Sequence, residues 1–155
     1  MILKVLWPGR TKTAAVRELE EHYLRRIRTL APCEVIVTET SRGLDEKAAK
    51  KILEIEARGL EKRLKDDYIV CLFDGGREMT SVEFARFLSD REASGGRGVA
   101  FIVGGFLGLA DRILERADLK LSLSRMTLSH ELCRPVLLEQ IFRSLTLMKG
   151  RSYAK

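Results

Sequence analysis

Three glycines and a run of small polar side chains mark where this chain could do chemistry. Gly104, Gly105 and Gly108 follow directly on an apolar run, Val99 to Val103, whose length suits a buried strand. A second strand-like run, Leu119 to Leu123, leads into a polar turn holding Ser124, Arg125, Thr127, Ser129 and His130. Open α/β sheets hold ligands in turns of this kind, at the carboxyl ends of their strands. The pattern G-G-x-x-G-L has neither the lysine of a phosphate loop nor the spacing of the dinucleotide fingerprint. Glycine tolerates positive φ and the close approach of backbone or of a flat ligand. The first turn alone therefore reads either as a tight connection or as one wall of a site. The polar loop after the next strand favours the site. No set of Cys, His, Asp and Glu stands at metal-ligand spacing, so no metal is expected. His22 reads as a surface or edge histidine.

Stepping outward, the elements that must hold these turns alternate along the chain. Ile2 to Trp7 reads as a strand stopped by Pro8-Gly9. Thr11 to Leu30 reads as a helix with Ala15, Leu19, Tyr23, Ile27 and Leu30 toward the core. Its other face carries Arg25, Arg26 and Arg28, which suit either a phosphate backbone or plain solvent. Cys33 to Thr38 is a second strand, rich in β-branched residues. Thr40 to Asp45 is a polar loop, and Glu46 to Leu64 a helix with the thin apolar stripe Ile52, Ile55 and Leu60. Tyr68 to Phe73 is apolar throughout, as a central parallel strand should be. Asp74 to Arg77 then turns away, and Thr80 with Glu83 fits a capping box for a helix to about Asp90.

Pro135 fits the first turn of a last helix that Gly150 ends. Leu138, Ile141, Phe142, Leu145 and Met148 give that helix more apolar surface than a small sheet needs, which marks a partner surface. Alternating strands and helices argue for an α/β fold, a mainly parallel sheet with helices on both faces. Neither a repeat nor a long linker divides residues 1–155, so one domain is expected.

The net charge of +6 favours an anionic partner, nucleic acid first, although a generic solvated surface also reaches this value. No run approaches the ~20 apolar residues of a membrane span. The opening MILKVLWPGR is short and interrupted by Lys4, unlike a signal peptide, so a cytoplasmic location is expected. Cys33, Cys71 and Cys133 are odd in number and far apart, which suggests small buried apolar residues and neither a disulfide framework nor a zinc site.

Several segments, taken in order, are more specific than any single motif. They are YIVCL at 68–72, TSVEFA at 80–85, FIVGGFLGL at 101–109 and LSLSRMTLSH at 121–130. Arg134, Glu139-Gln140, Phe142-Arg143 and Tyr153 follow. Together they resemble the ribosomal large subunit methyltransferase H family, of the SPOUT class, over essentially the whole chain. The resemblance implies a C-terminal trefoil knot, a homodimer and S-adenosylmethionine as methyl donor. It implies methylation at N3 of a pseudouridine in 23S ribosomal RNA, on the large subunit or the whole ribosome. The cofactor-binding positions it carries over are Leu72, Gly105, Ser124, Arg125, Met126, Thr127, Leu128 and Ser129. Three positions depart from the family pattern. Phe73 stands where an acidic residue is usual, Ser129 where Pro is common, and Ala154 where the tail usually has His. The last departure leaves open a second function, a catalytically impaired RNA-binding or ribosome-assembly homologue.

Methylating a ring N–H requires the proton to leave and the nitrogen to face the methyl group in line. His130 is the only imidazole near the expected site, and is either the general base or a structural histidine. Arg134 holds a phosphate or a base carbonyl, or else pairs with a carboxylate such as Glu139. Tyr153 stacks on a base or belongs to a frayed tail. In the dimer that the resemblance implies, Tyr153 and Lys155 of one subunit approach the cofactor of the other.

Overall fold

The computed structural model describes residues 1–41 and 48–153. Five strands form one parallel sheet: β1 (Leu3–Pro8), β2 (Cys33–Thr38), β3 (Tyr68–Glu78), β4 (Val99–Ile102) and β5 (Leu119–Ser122). Their order across the sheet is β2-β1-β4-β3-β5. The helices are α1 (Ala14–Arg28), α2 (Ala49–Glu61), α3 (Ser81–Ala93), α4 (Asp111–Leu114) and α5 (His130–Met148).

Successive strand residues face opposite sides of the sheet, and each side has its own apolar core. Leu3, Val5, Val99 and Phe101 pack with Ile27 of α1, Phe84 and Leu88 of α3, and Leu137, Leu138 and Ile141 of α5. Leu6, Ile69, Cys71, Ala100 and Ile102 pack with Ala57 and Leu60 of α2 and Ile113 of α4. Parallel strands covered on both faces must be apolar throughout, which is why VAFI of β4 is wholly buried. Arg112 ties α4 to α2, meeting Glu61 at 2.8 Å and also Glu54. No described helix is long and apolar enough to cross a membrane.

Four expectations change. The helix read from Thr11 is shorter, and Ala15 and Leu19 of α1 are exposed, because α1 meets the core through its second half, at Tyr23, Leu24 and Ile27. β3 does not stop at Phe73. Its register shifts between Leu72 and Arg77, then pairing resumes as Arg77 with Leu121 and Glu78 with Ser122, so 73–76 is a bulge within the strand. α5 begins at His130, with the Ser129 hydroxyl accepting from the Leu132 N–H at 3.2 Å. Pro135 therefore stands inside the helix, and His130 and Arg134 are helical residues. Finally, the α5 stripe is not an exposed partner surface, since α1, α3 and the sheet bury Leu138, Ile141, Phe142 and Leu145.

The capping box is as the sequence predicts: Thr80 N–H donates to Glu83 Oε2 at 2.6 Å, and Glu83 N–H to Thr80 Oγ1 at 3.2 Å. Arg42, Gly43, Leu44 and Asp45 of the expected polar loop, and Glu46 and Lys47, where the second helix was expected to begin, lie outside the described residues.

Candidate functional site

The carboxyl ends of β4, β3 and β5 enclose a cavity of about 420 Å³. Beyond β4 the chain folds back tightly: Gly108 N–H donates to Gly105 O at 3.0 Å, and Gly108 has φ +76°. A Cβ at Gly104 would lie 2.7 Å from the Gly108 carbonyl carbon, so the turn closes only without a side chain there. The far wall is the loop after β5. Ser122 Oγ donates to Ser124 O at 3.0 Å, and Ser124 Oγ accepts from the Met126 N–H at 2.9 Å. Leu72 and the β3 bulge residues Phe73 and Asp74 complete the lining.

Six of the eight sequence-predicted cofactor positions line this cavity: Leu72, Gly105, Ser124, Met126, Thr127 and Leu128. The other two do not. Arg125 points away, with its guanidinium 3.7 Å from Glu78, and Ser129 is occupied as the α5 cap. Sequence reasoning missed Asp74, Val103 and Phe106 as lining residues, although Val103 and Phe106 adjoin Gly104 and Gly105. A largely apolar cleft of this size with backbone groups and small hydroxyls at its rim suits a small ligand.

A second cavity, of about 660 Å³, opens at the carboxyl end of β1. Gly105, Phe106, Leu107 and His130 line both cavities, so this segment is a shared wall. Arg10 and Lys12 stand at the second cavity's rim. Glu56 of α2 lines it from within and is 5% exposed. Its Oε2 accepts from Thr40 Oγ1 at 3.0 Å, while its Oε1 has no partner among the described residues. Burial raises the Glu56 carboxyl above its ordinary range, with Thr40 and Arg134 pulling the other way. Glu56 had escaped notice, yet it breaks the apolar series Ile52-Glu56-Leu60 at i,i+4 spacing, a signal that was present.

His130 sits where the cavities meet, its ring edge-on to Phe106 at 6.2 Å between centroids. Burial lowers its pKa from the ordinary 6.5; the Arg134 and Lys12 charges reinforce this and Glu131 opposes it. The imidazole is therefore neutral near pH 7 and able to take up a proton.

Arg134 is 1% exposed and does not face a phosphate. Its Nη1 donates to Gly9 O at 3.2 Å and Thr11 Oγ1 at 2.8 Å, and its Nη2 to Pro8 O at 2.9 Å. The guanidinium lies 5.0 Å over the Trp7 ring. Glu139, the anticipated alternative partner, pairs with Arg143 instead. Beside it, Glu131 accepts from the Lys12 and Thr13 N–H groups at 2.7 and 3.2 Å, supplying the α1 start that Thr13 does not cap. α5 thus holds the β1–α1 loop, one wall of the second cavity, through two side chains.

Tyr153 is not brought to this site within one chain. It packs on Phe142 at the other end of α5, with centroids 5.0 Å apart and the Arg143 guanidinium 4.4 Å over its ring. Ala154 and Lys155 lie outside the described residues. Of the α1 arginines, Arg26 covers Phe142 at 4.1 Å and Arg28 donates to Cys33 O at 3.0 Å, which leaves Arg25 facing solvent. Burial pushes the Cys33 and Cys71 thiols up to about 11 and about 12, so neither is a nucleophile. No cluster of three metal-ligating side chains occurs among the described residues.

A family profile described as "Predicted SPOUT methyltransferase" matches residues 1–154. The chain is 39% identical over 154 residues to the ribosomal RNA large subunit methyltransferase H of Geobacter sp. (strain M21), covering 99% of this chain and 98% of that one. It is 35% identical over 159 residues to the protein of the same name from Clostridium beijerinckii, each covered in full. Among solved structures, a probable methyltransferase from Bordetella pertussis Tohama I superposes with a TM-score of 0.54 at 18% identity, over 92% of this chain and 95% of that one. A probable methylase family protein from Haemophilus influenzae Rd KW20 gives 0.53 at 12% identity, over 99% and 70%. At these identities the two structures speak to the fold alone.

Proposed function

The chain belongs to the SPOUT methyltransferase family, and on that premise we propose that it methylates large-subunit ribosomal RNA at N3 of a pseudouridine, with S-adenosylmethionine as donor. The observation that carries this reading is the coincidence of two facts. The chain is similar over its full length to relatives named for methylating that RNA. Six positions expected to touch the donor line one cavity at the strand ends.

The residues present fit such a donor. A flat nucleoside needs backbone at van der Waals range, and Gly108, which has open space where a side chain would stand, leaves that room. Leu72, Leu128 and Val103 offer apolar walls, and Ser124 and Thr127 polar rims. When bound, the donor supplies an electrophilic methyl group on a sulfonium centre.

The chain's own residues then have distinct tasks. Gly105 and Phe106 separate the donor cavity from the second cavity, which receives the RNA base. His130, neutral and on the shared wall, takes up the ring proton. Arg134 acts at a distance from the chemistry by holding the Pro8–Thr11 backbone in place. Arg10, Lys12 and the overall positive charge attract the phosphate backbone. A homodimer belongs to the same reading, since Tyr153, packed at the other end of α5, reaches a donor cavity only if it is a second subunit's. So do the trefoil knot, a single domain over 1–155 and a cytoplasmic location.

The deciding experiment measures transfer of labelled methyl from S-adenosylmethionine to ribosomes that lack the modification. The product nucleoside is then identified by mass spectrometry. 3-Methylpseudouridine is expected, and the absence of labelled ribosomal RNA would remove the reading.

A further inference from the structure

We propose that Glu56 is the specificity-determining residue of the second cavity and accepts the N1–H of the target pseudouridine. This rests on the pseudouridine substrate proposed above, and adds to it a residue that distinguishes that base from uridine. Three observations lead there. Glu56 is nine-tenths buried and lines the cavity that shares its wall with the donor cavity. One carboxylate oxygen is fixed by Thr40, while Oε1 is buried without a partner among the described residues. Leaving such an oxygen unmatched is costly unless a ligand supplies the donor. The carboxylate lies against Gly105, where a Cβ would come within 2.9 Å of both oxygens, so a side chain there would close over it.

The unmatched Glu56 oxygen calls for a ring edge that offers an N–H. Uracil rings carry such edges, and the chemistry selects which one. The N3 lone pair must point at the methyl group in the ring plane, so a carboxylate resting on N3 would occupy the methyl's approach. That leaves N1–H, with its neighbouring C2 carbonyl. Pseudouridine, joined to ribose through carbon, has a free N1–H; uridine has C–H at the equivalent ring position. A site built to hydrogen-bond an N–H rejects an analogue that lacks it, because its own polar group is then left unpaired. Glu56 does not move the reacting proton and takes no part in bond making.

The test is binding, read by fluorescence anisotropy on the full chain without methyl donor. The probes are three labelled RNA stem-loops that differ at one loop position: pseudouridine, uridine and N1-methylpseudouridine. The parent is expected to favour pseudouridine over both others by about tenfold. Glu56→Gln, which turns an N–H toward N1–H, should reduce that preference to within about twofold, and Glu56→Asp should restore part of it. Equal affinity of the parent for all three RNAs would overturn the proposal without any variant. So would a Glu56→Gln protein that keeps the parent's preference. The methyl-transfer assay on the parent separates the two readings. If 3-methylpseudouridine forms while the preference is indifferent to Glu56, the role of Glu56 fails and the function stands. If no methyl is transferred, the function fails on its own measurement.

Discussion

Replacing Arg134 by Leu removes a buried cation that three acceptors share, and the cost follows from the structure. Pro8 O, Gly9 O and Thr11 Oγ1 lose donors at 2.9, 3.2 and 2.8 Å. Hydrogen bonds from a charged donor are each worth about 1.5–3 kcal/mol. Loss of the cation over Trp7 adds about 1 kcal/mol. Two effects offset this sum: a leucine no longer carries the desolvation penalty of a guanidinium, and cavity water can reach the Pro8 and Gly9 carbonyls. The net destabilisation expected is about 3–5 kcal/mol, a drop in Tm of roughly 10 °C for a chain of this size. Arg134→Lys keeps the charge but not the fork, and should recover about half. Urea unfolding followed by Trp7 fluorescence and by far-ultraviolet circular dichroism measures both variants; Trp7 is the only tryptophan. An Arg134→Leu protein within 1 kcal/mol of the parent would refute the claim that this side chain holds the loop.

Gly105→Val should weaken S-adenosylmethionine binding at least tenfold by calorimetry, because its Cβ would press on Glu56 and alter the wall between the cavities; unchanged affinity would mean that the donor lies elsewhere. Glu56→Gln should stabilise the protein by about 1–3 kcal/mol at neutral pH. The sign comes from linkage: the folded carboxyl titrates above its unfolded value of 4.5, so its contribution to stability is greatest below that value and falls as pH rises through the folded pKa. The variant-minus-parent difference in unfolding free energy should grow as pH rises across that window, and a flat difference would show that the burial cost is absent. RNA affinity should fall steeply with added salt as phosphate contacts release counterions, with the slope read by anisotropy. Deleting residues 151–155 should leave donor binding intact while methyl transfer collapses; a fully active deletion would exclude the tail from the site.

The order of elements was legible in the sequence because it depends on local chemistry. Apolar runs bounded by glycine, proline or short polar residues marked the five strands, and Cys33–Thr38 matched to the residue. The Thr80–Glu83 box is contained within four residues and needs no distant partner. The glycine turn and the loop after β5 were legible for the same reason, since close backbone approach restricts residue type at the site itself. The start of α5 was not, because two local signals compete. Ser129 offers a cap and Pro135 offers a first-turn residue, and Glu131, by holding Lys12 and Thr13, belongs to the arrangement that begins at Ser129.

Burial of the α5 stripe also required the fold, since periodicity shows that a face is apolar and not what covers it. The deepest part of the candidate site is likewise a tertiary product. Arg134 meets residues more than 120 positions earlier, and Glu56 meets Thr40 and the Gly105 turn from another helix. A buried charge takes its meaning from the groups that surround it, and those groups assemble only when the strand order brings β1 beside β4.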